Sequence, residues 1–142
     1  GGVHSNITHL FALLQVAKDM QVPEVFIHFF ADGRDTDPKS ADKFMQQVLE
    51  KTQEIGIGAV ATVVGRYYIM DRDKRWERVE VGMKGLVTGE GEDSSDPVQT
   101  IKERYEKKEN DEFLKPIIVG GKERRVQGTC GSSAKGKLTT AN

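Results

Sequence analysis

Apolar residues fall into blocks along the chain, and the spacing within the blocks alternates between helical and strand-like. The first block has helical spacing, and Ser5 just before it is expected to be the N-cap of the helix. Residues 24–31 form a short, mostly apolar block rich in aromatic residues, which is typical of a buried strand. The apolar positions of the first helix are Leu10, Leu13, Leu14 and Ala17.

Helical spacing returns three times in the rest of the chain. One helix is expected over 41–52, and the next carries an apolar stripe that begins at Trp76. Another is expected to begin at Asp96, because Pro97 follows at the first helical position and an apolar stripe comes next. The stripe that begins at Trp76 consists of Trp76, Val79, Met83, Leu86 and Val87.

Two more strands are expected in the same alternation. Residues 59–64 are typical of a buried strand, and residues 113–119 predict another, in which Pro116 is tolerated only at an edge or an end. Polar residues at 65–74 and 89–95 predict a loop and a connector. Helix and strand therefore alternate, which predicts an α/β fold with a mainly parallel sheet flanked by helices in three layers.

Two chemically rich loops, 32–38 and 65–74, follow buried strands directly. In open α/β sheets, ligands bind beyond the carboxyl ends of the strands. We therefore expect the two loops to open on the same edge of the sheet.

Composition limits the possible classes of function. The chain has 142 residues, enough for one domain, and its net charge of −1 argues against nucleic acid or membrane partners. No apolar run approaches the roughly 20 residues of a membrane span, and no signal peptide is recognised. Cys130 is the single cysteine, which fits a reducing compartment, and we expect a cytoplasmic protein. The chain opens on Gly1 without an initiator methionine, which predicts a fragment that starts inside a fold.

Two short segments offer groups that bind anions. His4 follows two glycines at a helix start, where N–H groups can bind an anion; the alternative is a glycine turn with a solvated histidine. Arg34 offers a planar fork for a carboxylate or phosphate, and Asp35 beside it offers a general base. The alternative is a surface turn in which the two side chains pair, a contact worth about 0–1 kcal/mol.

Residues 65–79 hold four arginines and three aromatic residues. Arg66 and Arg72 are spaced to grip a phosphate from two directions, whereas Arg75 and Arg78 are expected on a solvated face or paired with acids. The alternative is that all four are surface charges. Acidic residues within the run argue against nucleic acid, and no histidine or cysteine spacing predicts a metal site in this chain.

Three segments together resemble the cofactor-independent phosphoglycerate mutases: GGVHS at 1–5, FADGRDTDPKSA at 30–41 and GRYYIMDRDKRWERV at 65–79. The third is long and specific to that family. FLKPIIV at 113–119 is similar to a further family segment.

The likeness predicts where the domain ends. It runs from the start of the chain to about Gly120, so we expect a substrate-binding domain over 1–120, incomplete at both ends. Residues 121–142 are rich in glycine, serine, threonine and lysine and follow no family pattern, so we expect a loose tail.

The resemblance implies an isomerase of glycolysis and glucose catabolism, which interconverts 3-phosphoglycerate and 2-phosphoglycerate. Such a mutase has two α/β domains facing each other across a cleft. One belongs to the alkaline phosphatase superfamily and carries two Mn²⁺ ions and a serine that is transiently phosphorylated. The other binds the substrate, and this chain resembles that one.

The resemblance also assigns roles to residues of this chain. The substrate-contacting histidine of the family falls on His4, and its arginine–aspartate pair falls on Arg34 and Asp35. Two further substrate-binding arginines fall on Arg66 and Arg72. Asp35 matches the aspartate proposed as general base when the phosphate returns to the glycerate.

The family's nucleophilic serine and metal ligands belong to segments that this sequence does not contain. We therefore expect a monomeric chain that needs the missing phosphatase-like domain and is inactive alone. Two alternatives stay open: a non-catalytic module that binds a phosphorylated metabolite, and a nonfunctional truncated remnant.

Overall fold

The computed structural model describes residues 2–3 and 5–126, so Gly1, His4 and 127–142 lie outside the described residues. Five helices and four strands alternate through this part of the chain. The helices are α1 (Ile7–Asp19), α2 (Ala41–Ile55), α3 (Arg66–Ile69), α4 (Trp76–Met83) and α5 (Pro97–Glu106). The strands are β1 (Phe26–Ala31), β2 (Ala59–Gly65), β3 (Glu92–Ser94) and β4 (Ile117–Val119).

The four strands form one sheet in the order β1-β2-β4-β3. β1 is parallel to β2 and β3 is parallel to β4, whereas β4 is antiparallel to β2. The sheet is therefore mostly parallel and flanked by helices, which confirms the predicted α/β class. Pro116 lies just before the first residue of β4, so its missing N–H costs no hydrogen bond within the strand.

The main core lies between the sheet and three helices. Met45 and Val48 of α2 are fully buried there beside Leu14 of α1 and Ile101 of α5. Burying a side chain of this kind stabilises the fold by about 1.5–3 kcal/mol. The helical spacing of apolar residues in the sequence thus predicted α1, α2 and α5 correctly.

Helix boundaries follow local capping chemistry. Asn6, not Ser5, is the N-cap of α1, because the Asn6 side chain accepts a hydrogen bond from the Thr8 N–H at 3.0 Å. Asp96 caps α5 as predicted, accepting from the Gln99 N–H at 3.0 Å, with Pro97 at the first helical position. α2 ends at Ile55, and its C-cap residue Gly56 has a φ of 80°, which suits a residue without a side chain.

Three expectations for the middle of the chain were wrong. The predicted loop 65–74 contains the short helix α3, and the predicted connector 89–95 contains β3. The stripe that begins at Trp76 does not face the core as a whole: the Trp76 side chain is 70% exposed and Leu86 is buried. α4 ends at Met83 and continues as a π-helical turn over Lys84–Thr88, so Leu86 and Val87 depart from the regular helical repeat, whereas Trp76 is exposed as the first residue of α4.

The start of the predicted tail contacts the domain. Arg124 lies in a short 3₁₀ turn and donates a hydrogen bond to the Val60 carbonyl at 3.2 Å, and the Val126 N–H donates to the Leu86 carbonyl at 2.8 Å. The division into a domain over 1–120 and a loose tail over 121–142 stays a prediction, since most of that tail lies outside the described residues. Within the described chain, no helix combines the length and hydropathy needed to cross a membrane.

Candidate functional site

The two chemically rich loops begin side by side. β1 and β2 are parallel, and Ala31 at the end of β1 is in register with Gly65 at the end of β2. Because both strands end at the same level, the segments that follow them leave the sheet at the same edge. The prediction that loops 32–38 and 65–74 open on one edge is confirmed.

Arg66 joins the two loops. It directly follows β2, and its Nη1 atom donates to Asp32 Oδ1 at 2.6 Å and to Asp35 Oδ2 at 3.1 Å. The Arg66 and Asp32 side chains are mostly buried, whereas Asp35 is exposed. Charge-assisted bonds of this kind are stronger than neutral ones, so Arg66 fixes the first loop against the second.

Asp32 organises the first loop. Its Oδ1 atom also accepts from the backbone N–H groups of Arg34, at 3.1 Å, and Asp35, at 3.2 Å. Burial raises the pKa of the Asp32 carboxyl, but the hydrogen bonds from Arg66 and from these N–H groups outweigh burial and hold that pKa well below its usual range. Asp32 therefore acts as a fixed negative charge under the loop. Nothing in the sequence pattern separates Asp32 from the other turn residues of this loop.

Arg34 is held from a distant part of the chain. Its Nε and Nη2 atoms lie 2.7 and 2.6 Å from Glu112 Oε1, although the two residues are 78 positions apart. The alternative that Arg34 pairs with Asp35 is therefore wrong, since Glu112 binds Arg34 and Arg66 binds Asp35. The guanidinium group of Arg34 lies at the site, as expected, and its contact with Glu112 sets its orientation.

A buried carboxylate shapes the second loop. The Asp71 side chain is 2% exposed, and its Oδ2 atom accepts from the backbone N–H groups of Asp73 at 3.2 Å and Arg75 at 2.8 Å. Asp71 Oδ1 lies 3.5 Å from Arg78 Nη1, and the Arg78 guanidinium lies 4.0 Å from the centre of the Tyr67 ring. Arg78 thus pairs with an acid, as predicted, and also stacks on an aromatic ring.

A cleft of about 80 Å³ lies between these groups. Three of the predicted substrate residues, Arg34, Arg66 and Arg72, line it together. Asp35 contacts Arg66 but does not line the cleft itself, and His4 lies outside the described residues. The charged residues of the lining are Arg34, Arg66, Arg72, Arg78, Asp71, Asp73 and Glu112.

Arginines are the most numerous charged residues of the cleft, but acids compensate most of their charge. Four arginines and three acids line the cleft, and Asp32 and Asp35 contact Arg66 from outside the lining. Arg34, Arg66 and Arg78 each have an acidic partner, whereas Arg72 is exposed and has no hydrogen bond or ion pair to another described residue. An anion would therefore meet its least compensated charge at Arg72.

A larger cavity of about 550 Å³ lies at the other end of β2, where the strand begins. It is lined in part by Ala59, Val119 and the first residues of α5, and by none of the predicted site residues. Size alone favours this cavity, but the convergence of guanidinium groups favours the small cleft as an anion site.

The described residues do not fit a metal ion. No group of three histidine, cysteine, aspartate or glutamate side chains within residues 2–3 and 5–126 is arranged to hold one. We therefore assign no step of the chemistry in this chain to a metal.

Comparison with known proteins identifies the family. Residues 1–130 match the profile described as BPG-independent PGAM N-terminus (iPGM_N). The chain belongs to this family. Its relatives carry the name 2,3-bisphosphoglycerate-independent phosphoglycerate mutase, an isomerase, which confirms the resemblance read from the sequence.

The relatives are about four times longer than the matched segment. The chain is 51% identical to the Caenorhabditis elegans mutase over 130 residues, which cover 89% of this chain and 24% of that protein. It is 50% identical to the Listeria monocytogenes mutase over 119 residues, which cover 84% of this chain and 23% of that protein. The chain thus spans about a quarter of the length of the relatives it matches.

A solved structure shares the fold. A crystal structure of Leishmania mexicana phosphoglycerate mutase, at low cobalt concentration, superposes with a TM-score of 0.78 and 24% identity. The match covers 87% of this chain and 24% of that one. The α/β arrangement is therefore that of one part of a longer mutase.

Proposed function

We propose that the chain is the substrate-binding part of a phosphoglycerate mutase, which interconverts 3-phosphoglycerate and 2-phosphoglycerate in glycolysis. The observation that carries the proposal is the convergence of Arg34, Arg66 and Arg72 on one cleft from two loops. Phosphoglycerate carries a carboxylate and a phosphate, and planar guanidinium forks suit both groups. The family resemblance assigns the same three arginines to the substrate.

Each arginine has its own part in this proposal. Arg66 is fixed by Asp32 and Asp35, so it offers its remaining N–H groups in a set direction. Arg72 is exposed and supplies the charge that draws the anion into the cleft. His4, which lies outside the described residues, is assigned to the same anion by the resemblance.

Asp35 is the group we assign as general base. Its carboxylate is exposed at the edge of the cleft and is held 3.1 Å from Arg66 Nη1. An exposed carboxylate in a set position can accept the proton of a glycerate hydroxyl as the phosphate returns to it.

The remaining parts of the reaction belong to the rest of a longer mutase. In this proposal, the phosphatase-like domain supplies the phosphorylated serine and holds two Mn²⁺ ions. This chain binds and orients the glycerate and moves a proton, and it is inactive alone. The complete enzyme would act as a monomer in the cytoplasm.

Replacing Arg72 with alanine tests the cleft. We expect Arg72→Ala to weaken binding of 3-phosphoglycerate to the full chain about 10- to 100-fold, the equivalent of one charge-assisted contact of about 1.5–3 kcal/mol. Since Arg72 has no partner among the described residues, the change should leave the fold intact. NMR titration of the chain with 3-phosphoglycerate measures the affinity, and the dispersion of the same spectra reports folding.

Arg75→Ala is the matched control. Arg75 lies in the same loop, is exposed and does not line the cleft, so its loss should change the affinity less than about twofold. Equal losses from Arg72→Ala and Arg75→Ala would mean that binding is a general charge effect. Absence of any binding by the unchanged chain would favour the nonfunctional remnant.

Replacing Asp35 with asparagine tests the assigned base. A chimera in which residues 1–126 replace the matching segment of the Caenorhabditis elegans mutase supplies a complete enzyme. We expect Asp35→Asn in this chimera to lower kcat about a hundredfold, with a much smaller change in KM, because a base acts in the transition state. Steady-state kinetics with 3-phosphoglycerate measure both constants.

The chimera also separates the functional alternatives. An unchanged kcat in Asp35→Asn would remove Asp35 from the proton transfer. A folded but inactive chimera, combined with phosphoglycerate binding by the chain, would favour a binding module without catalysis.

A further inference from the structure

The turn Asp111–Phe113 lies against both loops of the cleft. The Gly65 N–H donates to the Leu114 carbonyl at 2.7 Å, which connects the end of β2 to the residue after the turn. A Cβ atom at Gly33 would lie 2.9 Å from the backbone nitrogen of Glu112. The turn therefore packs against the first and the second loop without intervening space.

The turn is anchored from below by Asp111. This side chain is 1% exposed, and its Oδ2 atom accepts from the N–H groups of Ser40 at 3.0 Å and Ala41 at 2.9 Å. Its own N–H donates to the Pro38 carbonyl at 2.9 Å. Buried hydrogen bonds in this number fix the backbone of Glu112 relative to the first loop.

Glu112 and Arg34 differ in the exposure of their side chains. The Glu112 side chain is 13% exposed on a fixed backbone, whereas the Arg34 side chain is 56% exposed on a loop. A free arginine side chain samples many rotamers, and it loses that rotamer entropy when it binds a ligand in one geometry. Contact through Nε and Nη2 sets the plane of the guanidinium and leaves N–H donors on the group for another anion.

We propose that Glu112 is a positioning residue, which holds the guanidinium of Arg34 in place before the anion binds. The ligand in this proposal, phosphoglycerate, rests on the proposed function; the effect of Glu112 on Arg34 does not. Nothing in the sequence pattern connects the two residues, and only the anchored turn brings them together.

A double-mutant cycle on the full chain tests the proposal. We expect Glu112→Ala to weaken 3-phosphoglycerate binding about tenfold, Glu112→Gln to weaken it less because an amide oxygen still accepts, and Arg34→Ala to abolish the effect of Glu112→Ala. Glu77→Ala is the matched control, because Glu77 is exposed and does not line the cleft. NMR titration measures all affinities.

The ligand-free chain supplies the second readout. The Nε–H signal of Arg34 should be slow to exchange with water in the unchanged chain and in Glu77→Ala. It should be partly retained in Glu112→Gln and lost in Glu112→Ala, provided that the backbone spectrum shows a folded chain. A purely structural role of Glu112 would leave this signal unchanged in folded variants.

The two readouts distinguish failure of the positioning role from failure of the proposed function. An Arg34 signal that does not respond to Glu112→Ala, or equal effects of Glu112→Ala with and without Arg34, would overturn the positioning role. If the unchanged chain does not bind 3-phosphoglycerate, the proposed function fails. Loss of the Arg34 signal in Glu112→Ala would then still support the positioning of Arg34.

Discussion

Gly65→Ala is expected to destabilise the chain by about 3 kcal/mol or more, a large share of the roughly 5–15 kcal/mol by which a typical domain is stable. A Cβ atom at this position would overlap the carbonyl oxygen of Glu112 and lie 2.7 Å from that of Asp111. Both are backbone atoms of the anchored turn, so neither can move aside as a flexible side chain would. Chemical denaturation followed by circular dichroism measures the loss.

The backbone of Gly65 itself would tolerate alanine, because its φ of −72° is ordinary for any residue. The expected loss is therefore steric. Gly2→Ala is the control, since a Cβ atom at Gly2 would have no heavy atom within 4 Å among the described residues beyond its chain neighbours. A Gly65→Ala chain that unfolds at the same denaturant concentration as Gly2→Ala would mean that the turn does not pack against β2 as described.

Asp111→Ala is expected to cost about 3 kcal/mol or more, because it removes the acceptor of the Ser40 N–H and of the Tyr105 hydroxyl, and one of the two acceptors of the Ala41 N–H. The carboxylate accepts from the N–H groups and hydroxyl of the Ser40–Ala41 segment and from the Tyr105 hydroxyl. The N-cap residue of α2, Ser40, makes no capping bond with its own side chain, so Asp111 caps this helix from another part of the chain. Urea denaturation of the full chain measures the change.

Tyr105→Phe is the graded comparison for Asp111→Ala. It removes one donor from the same carboxylate and keeps the ring, so a loss of about 1 kcal/mol is expected. A loss from Asp111→Ala no larger than that from Tyr105→Phe would show that the N–H groups of α2 find another acceptor, such as water.

Most of the correct predictions concerned features formed by residues that lie close together in the sequence. The α/β class followed from apolar spacing, and the common edge of the two loops followed from parallel strands that end together. The pairing of Arg78 with an acid was also expected, since acids lie within the same short segment. The arginines of the cleft were chosen from loop position and family resemblance, and Arg34, Arg66 and Arg72 do line one cleft.

Predictions failed where residues that are far apart in the sequence contact each other. β3 is only three residues long and polar, and it forms because β4 supplies parallel hydrogen bonds to it. The partner of Arg34 was missed for the same reason, because Glu112 lies just before the strand expected over 113–119, in a segment that no prediction covered. Asp32 was treated as one of several turn residues, although burial beneath the loop gives it a central place.

The amino-acid sequence by itself determined the α/β alternation, the two charged loops that meet at the cleft and the family to which the chain belongs. The alternation and the loops depend on spacing within about twenty residues, which the backbone periodicities of 3.6 and 2 translate directly into structure. The family followed from the resemblance of particular segments, not from periodicity. Tertiary structure alone decided which acid holds which arginine and where the turn Asp111–Phe113 lies. Those contacts depend on packing between segments that are tens of residues apart, and local periodicity carries no information about them.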